Sequence, residues 1–185
     1  MKISAKQAEN QFRNFQKELK ETHNNKENIF MLYEKFIERF IKLNKKYRFS
    51  ASFNKSYIID QLDILLKKRQ NTLSFIPFGI KDIFNSKVLP TEMGSKIWKG
   101  FKAGNNARIV QEIVNRGGIV FCKTTAAEFA VHYIGDGVTI NPHNKDHITG
   151  TSSSGSSVAV ACGALPICLG TQTAGSIIRP TSFCG

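Results

Sequence analysis

From Ser74 onward, short apolar runs alternate with stretches of helical periodicity, and this alternation restricts the possible folds more than any other feature. SFIPFGIKDIF (74–84), GGIVFCK (117–123) and PICLG (166–170) have the length and the branched or aromatic content of buried strands. Between them the pattern predicts a helix at 105–116 (NNARIVQEIVNR), a brief helix around 124–131, a loop through Asn144 and a small-residue helix at 154–164. Strands separated by helices of this length call for an α/β layer with at least partly parallel pairing. No internal repeat interrupts it.

The preceding third of the chain has a different character. Residues 4–22 and 27–46 place apolar side chains at helical intervals among Lys and Glu, with Ile29, Leu32, Tyr33, Phe36, Phe40 and Leu43 in one stripe. Asn25 is a candidate cap for the second helix, and a third helix is expected over 56–70. The change near Thr72 divides the chain into a helical layer, 1–71, and an α/β part, 72–185.

The net charge of +12 raises the question of an anionic partner. Residues 1–75 carry 16 Lys/Arg against 8 Asp/Glu, and residues 76–185 carry 10 against 6, so the surplus concentrates on the helical layer. LNKKYRF at 43–49 is the nearest approach to a basic and aromatic interleaving, and it is short. The charge is read as a solvated helical face, with no nucleic-acid or membrane partner expected. MKISAKQAENQF lacks the apolar core of a secretory segment, and Val158–Leu169 is too short to span a bilayer; a cytoplasmic location is expected. Cys122, Cys162, Cys168 and Cys184 form no CxxC pair and read as buried free thiols. His143 and His147 have i, i+4 spacing, but Pro142 precedes them and no acidic residue between them matches a zinc-binding helix, so no metal site is assigned.

GTSSSGSSVAVACGALPICLGTQTAGSIIRP, Gly150 to Pro180, is crowded with Ser and Gly and holds one Arg but no Asp, Glu, Lys or His. A serine hydroxyl is a weak nucleophile unless a base stands within hydrogen-bond reach, and this stretch supplies none. Lys81 is the candidate, because it ends an apolar run where most other lysines lie on polar helical faces. Snorkelling to water or pairing with Asp82 is the alternative explanation of a lysine there.

IPFGIKD (76–82), LPTEMGS (89–95), GGIVFCKTTAAEFA (117–130), TINPHN (139–144), the 150–180 stretch and SFCG (182–185) occur in the order found in amidase-signature enzymes, and the chain resembles that family. The resemblance implies a mixed central sheet covered by helices, with a helical N-terminal segment. It implies an amidase that hydrolyses a carboxylic amide to acid and amine or ammonia through an acyl-enzyme on Ser176. It also implies Ser152 as a proton relay beside a cis peptide bond, Lys81 as the base, and the backbone N–H groups of Thr173, Ala174, Gly175 and Ser176 as an oxyanion hole. Burial among Ile76, Phe78, Ile80 and Ile83 would lower the lysine pKa far enough for this role. The expected partner is a small-molecule amide, with no cofactor and no metal; the sequence carries no signal of oligomeric state.

QTAGSIIR departs from the commoner Asp-Thr-Gly-Gly-Ser-Ile-Arg by Gln172, Ala174 and an Arg179 shifted one place. The variant resembles general amidases more than the glutamine-dependent tRNA amidotransferase, and the shift leaves the role of Arg179 open. Family members run more than twice as far, so the chain is expected to be their N-terminal half. An inactive fragment or interaction module that retains the three residues is the alternative, and a component of a tRNA amidotransferase is the third reading.

Overall fold

The computed structural model describes residues 5–131 and 136–185. It opens with α1 (Ala5–Glu21) and α2 (Lys26–Tyr47). In α2, Ile29, Leu32, Tyr33, Phe36, Ile37 and Phe40 recur at helical intervals and are all buried, with Leu43 packed at their edge. Asn25 caps it as expected, its side chain accepting from the N–H of Asn28 at 3.1 Å. Arg48 closes it in the left-handed region at φ 54°. Helix α3 (Lys55–Leu66) stops before the charged Lys67–Gln70 tail, which is exposed throughout and has nothing apolar to bury.

Four strands form one mixed sheet in the order β1 (Ser50–Phe53), β3 (Ile119–Thr124), β2 (Pro77–Lys81), β4 (Ile167–Leu169). Strand β2 runs parallel to both β3 and β4, and β1 pairs antiparallel with the far side of β3. Every residue of β2 and β3 is buried, as in a sheet covered on both faces. Helices α3 and α4 (Arg108–Asn115) pack on β3, α5 (Ser154–Ala161) on β2, β3 and β4, and α6 (Ile178–Cys184) on α5. The architecture is therefore the expected α/β sheet covered by helices.

Local differences have local causes. The sequence reading gives no strand at 50–53; β1 is a partly exposed edge strand whose pairing shifts register between Ser50 and Ser52. Helix α6 is likewise unanticipated, and it contains Pro180. It falls in the first turn, where an N–H has no intrahelical acceptor and the ring is tolerated. The brief helix expected over 124–131 contracts to a 3₁₀ turn at Glu128–Ala130, since β3 continues to Thr124 and both Phe129 and Ala130 take positive φ.

One apolar core joins the helical layer to the sheet. Phe40 of α2 lies 5.3 Å from Phe49 and 4.8 Å from Phe121 of β3, ring centre to ring centre, and Phe36 lies 5.2 Å from Phe121. Among the described residues no helix is long and apolar enough to cross a membrane, and no group of three or more His, Cys, Asp or Glu could hold a metal ion. The four cysteines are free, and burial pushes the thiols of Cys122, Cys162 and Cys184 up to about 12. His143 hydrogen-bonds the carbonyl of Cys184 through Nε2 at 2.6 Å.

Candidate active site

Strands β2, β3 and β4 are parallel, so their carboxyl ends share one edge of the sheet, the edge where open α/β sheets place their ligands. Lys81 is the last residue of β2. Ile80 before it packs into a cluster with Leu89, Val110 and Val120, and the two-residue period of a strand turns Lys81 to the opposite side. Its side chain is fully buried. Nζ lies 2.6 Å from Ser152 Oγ and 2.7 Å from Thr171 Oγ1, two hydroxyls in place of the usual carboxylate. Burial pulls its pKa down to about 8.

The neighbouring acid is engaged elsewhere. Asp82 pairs with Lys123 of β3 at 3.0 Å, and both side chains are buried. Lys81 thus neither snorkels to water nor takes Asp82 as its partner.

Most small residues of the 150–157 stretch have a task of their own. The Thr151–Ser152 peptide is cis, and the carbonyl of Ser152 accepts from the N–H of Ala127 at 3.2 Å. Ser153 binds the main chain of Thr171, donating to its carbonyl at 3.2 Å and accepting from its N–H at 3.3 Å. Ser154 donates to Asp136, and Ser156 bridges Leu169 and Thr124. A side chain at Gly155 would collide with Thr125 and the carbonyl of Phe49. These bonds fix Ser152 against the end of β4, where Thr171 stands.

Ser176 lies on the turn that follows. Its carbonyl accepts from the N–H of Ser153 at 3.1 Å, which ties the two serine loops together. Gly175 before it takes φ 133°, a conformation suited to glycine. Gln172 Oε1 accepts from the N–H groups of both Ile177 and Ile178 at 2.9 Å, closing the turn and leading the chain into α6. Ser152, Ser176, Thr171, Thr173, Ala174 and Arg179 line one cavity of about 220 Å³. Ser152 is buried and Ser176 half-buried, so a gradient of exposure runs from Lys81 outward. Among the described residues no protein acceptor takes the N–H groups of 173–176.

The structure therefore joins Lys81 to Ser152 directly and brings Ser176 to the same cavity wall. Sequence reasoning passed over Thr171, although it lies inside the motif, and Lys123, which ends an apolar run just as Lys81 does.

The model of the amidase family matches residues 31–185, and the chain belongs to that family. It is 38% identical over 117 residues to a glutamyl-tRNA(Gln) amidotransferase subunit of Chloroflexus aggregans, a match covering 61% of this chain and 24% of that one. The protein of the same name from Halothermothrix orenii is 39% identical over 125 residues, 65% of this chain and 26% of that one. Among solved structures, the peptide amidase of Stenotrophomonas maltophilia superposes with a TM-score of 0.78 at 26% identity, covering 90% of this chain and 38% of the other. The chain spans about a quarter of the length of the curated relatives it matches.

Proposed function

We propose that this chain carries the acyl-transfer centre of an amidase, with Ser176 as nucleophile, Ser152 as relay and Lys81 as base. The observation that carries the reading is the 2.6 Å contact between a buried lysine and Ser152, on a cavity that Ser176 also lines. An ordinary lysine, with a pKa of about 10.4, is protonated at neutral pH and cannot accept a proton. Buried without a carboxylate partner, Lys81 is neutral often enough to take the proton of Ser152, whose own oxygen receives that of Ser176. Ser176 Oγ then adds to the amide carbonyl, and the N–H groups of the 173–176 turn face the developing oxyanion. Collapse breaks the C–N bond, the relay returns its proton to the leaving amine, and an ester is left on Ser176. Water repeats the sequence and releases the acid.

The partner is accordingly a small amide, and no step calls for a metal or organic cofactor. A second reading, favoured by the names of the curated relatives, is an amidotransferase component, in which the released ammonia passes to an acylated acceptor instead of to solvent.

A fluorophosphonate probe tests the centre. It is expected to modify Ser176 in the wild type, to modify it slowly in Ser152→Ala and to leave Ser176→Ala unlabelled. An adduct mapped by mass spectrometry to Ser152, Ser153 or Ser154 would show a different nucleophile. No adduct on any serine would favour the inactive alternative, and ammonia released only in the presence of an acylated tRNA would favour the amidotransferase.

A further inference from the structure

Asp136 lies outside the motifs that carry Lys81, Ser152 and Ser176, yet its carboxylate gathers donors from two parts of the chain. Its Oδ1 accepts from the N–H groups of Val138 at 3.0 Å and Thr139 at 2.8 Å, which closes a turn on the residue itself. Its Oδ2 accepts from the hydroxyls of Thr139 and Ser154. Ser154 opens α5, directly after Ser152 and Ser153.

An ionised carboxylate can only accept, so it sets the direction of the protons beside it. Thr139 gives its one hydroxyl proton to Asp136 and therefore accepts from Thr125, whose Oγ1 lies 2.5 Å away. The carbonyl of Thr125 accepts from the N–H of Gly155 at 3.1 Å. A closed ring results, running from Asp136 through Thr139, Thr125, Gly155 and Ser154 back to Asp136. Thr125 also begins the segment whose Ala127 N–H donates to the carbonyl of Ser152 at 3.2 Å. Segments 125–127 and 152–155 are thus laced by two main-chain bonds, and the ring locks one end of the lacing. We propose that Asp136 is a positioning residue for Ser152: by tying Ser154 and Thr125 to one carboxylate, it fixes the loop that presents the Ser152 hydroxyl to Lys81. The inference rests on the reading of Ser152 as the relay.

The other anchors of this loop join neutral groups. Ser153 binds the main chain of Thr171 and the carbonyl of Ser176, and Ser156 binds Leu169 and Thr124. A hydrogen bond to an ionised acceptor is roughly twice as strong as a neutral one, so the Asp136 contact is the firmest of the set. The relay depends on that firmness. Nζ of Lys81 lies 2.6 Å from Ser152 Oγ, and a displacement of about 1 Å would take the pair beyond hydrogen-bond reach and lower the rate by a large factor.

One measurement reads position and another reads rate. Hydrogen exchange followed by NMR reports the amides of Ala127 and Gly155, with Ile119 of β3, whose N–H donates to Ile76, as internal reference. Asp136→Ala is expected to speed exchange at Ala127 and Gly155 by about tenfold relative to Ile119. The same variant is expected to slow fluorophosphonate labelling of Ser176 by about tenfold. In a Ser152→Ala background it should slow labelling no further, because it acts through a hydroxyl that is already gone. Asp136→Asn keeps the acceptor for Val138 and Thr139, its amide can donate to the two hydroxyls, and it is expected to restore most of the rate. Should Asp136→Ala fail to fold, Ser154→Ala, which opens the ring at one bond, decides by the same two readouts. Wild-type labelling in Asp136→Ala, an equal loss in both backgrounds, or unchanged exchange at Ala127 and Gly155 would overturn the proposal. The relay reading fails separately: wild-type labelling in Ser152→Ala would remove Ser152 from the reaction however firmly Asp136 holds its loop.

Discussion

At Lys81 the hydrogen-bond partners decide the chemistry. Two neutral hydroxyls offset far less of the ammonium's lost hydration than a carboxylate would, so burial governs and brings the midpoint to about 8. The acid limb of kcat/KM is accordingly expected near pH 8, with activity falling about tenfold per pH unit below it. Lys81→Ala should lower kcat by several orders of magnitude, and Lys81→Arg should not restore it, because a guanidinium stays protonated. Stability carries the same signature with a defined sign. Between the folded midpoint and the higher unfolded one the unfolded chain binds more protons, so unfolding free energy from this group rises with pH from about 8 toward 10.4. Denaturant titrations of wild type and Lys81→Met across that window check it; an equal slope in both would remove Lys81 as the source. The lysine itself was legible in the sequence because charge inside an apolar run is unusual. By the same criterion Lys123 was equally visible, and only the pairing of Asp82 with Lys123 distinguishes the surroundings of the two lysines.

The elements that carry the serines are stiffened by side-chain-to-backbone bonds which the sequence does not announce. Gln172, conspicuous in the sequence only as a departure from Asp, receives the N–H groups of Ile177 and Ile178 and so closes the turn on which Ser176 sits. Gln172→Ala is expected to cost about 0.5–2 kcal/mol of local order and to lower kcat by about tenfold. Gln172→Glu keeps the acceptor and should restore most of the rate; a melting temperature and a rate both unchanged in Gln172→Ala would deny the turn this support. The same difference separates what could be read in advance from what could not. Helix α2 was legible because its stripe of large apolar residues repeats turn after turn. Strand β1 was not, since SASF presents two serines and only partial burial, and its existence depends on β3 lying alongside. Helix α6 was not legible either, since it spans only 7 residues and holds Pro180, whose tolerance depends on where the first turn falls.

Across the whole molecule the helical layer and the sheet meet through aromatic rings. The sequence divides at Thr72, yet residues from before that point enter the structure of the later part. Phe40 of α2 touches Phe121 of the central β3, and β1 supplies an edge of the sheet. Tyr33 reaches across as well, donating from its hydroxyl to the carbonyl of Phe75 at 2.7 Å. A core shared in this way is expected to make the two parts unfold as one unit, because neither can expose its face of the ring cluster without cost to the other. Phe40 is almost fully buried, and Phe40→Ala is expected to destabilise the chain by about 3–5 kcal/mol. The distribution of that loss is the sharper test. Trp98, the one tryptophan of the sequence, lies in the later part against Phe101, whereas most of the far-ultraviolet helical signal comes from α1, α2 and α3. Unfolding followed by tryptophan fluorescence and by circular dichroism should shift together in Phe40→Ala and coincide in both proteins. If dichroism were lost first while Trp98 kept its native emission, the helical layer would be a separable domain and the shared core would not couple it to the sheet.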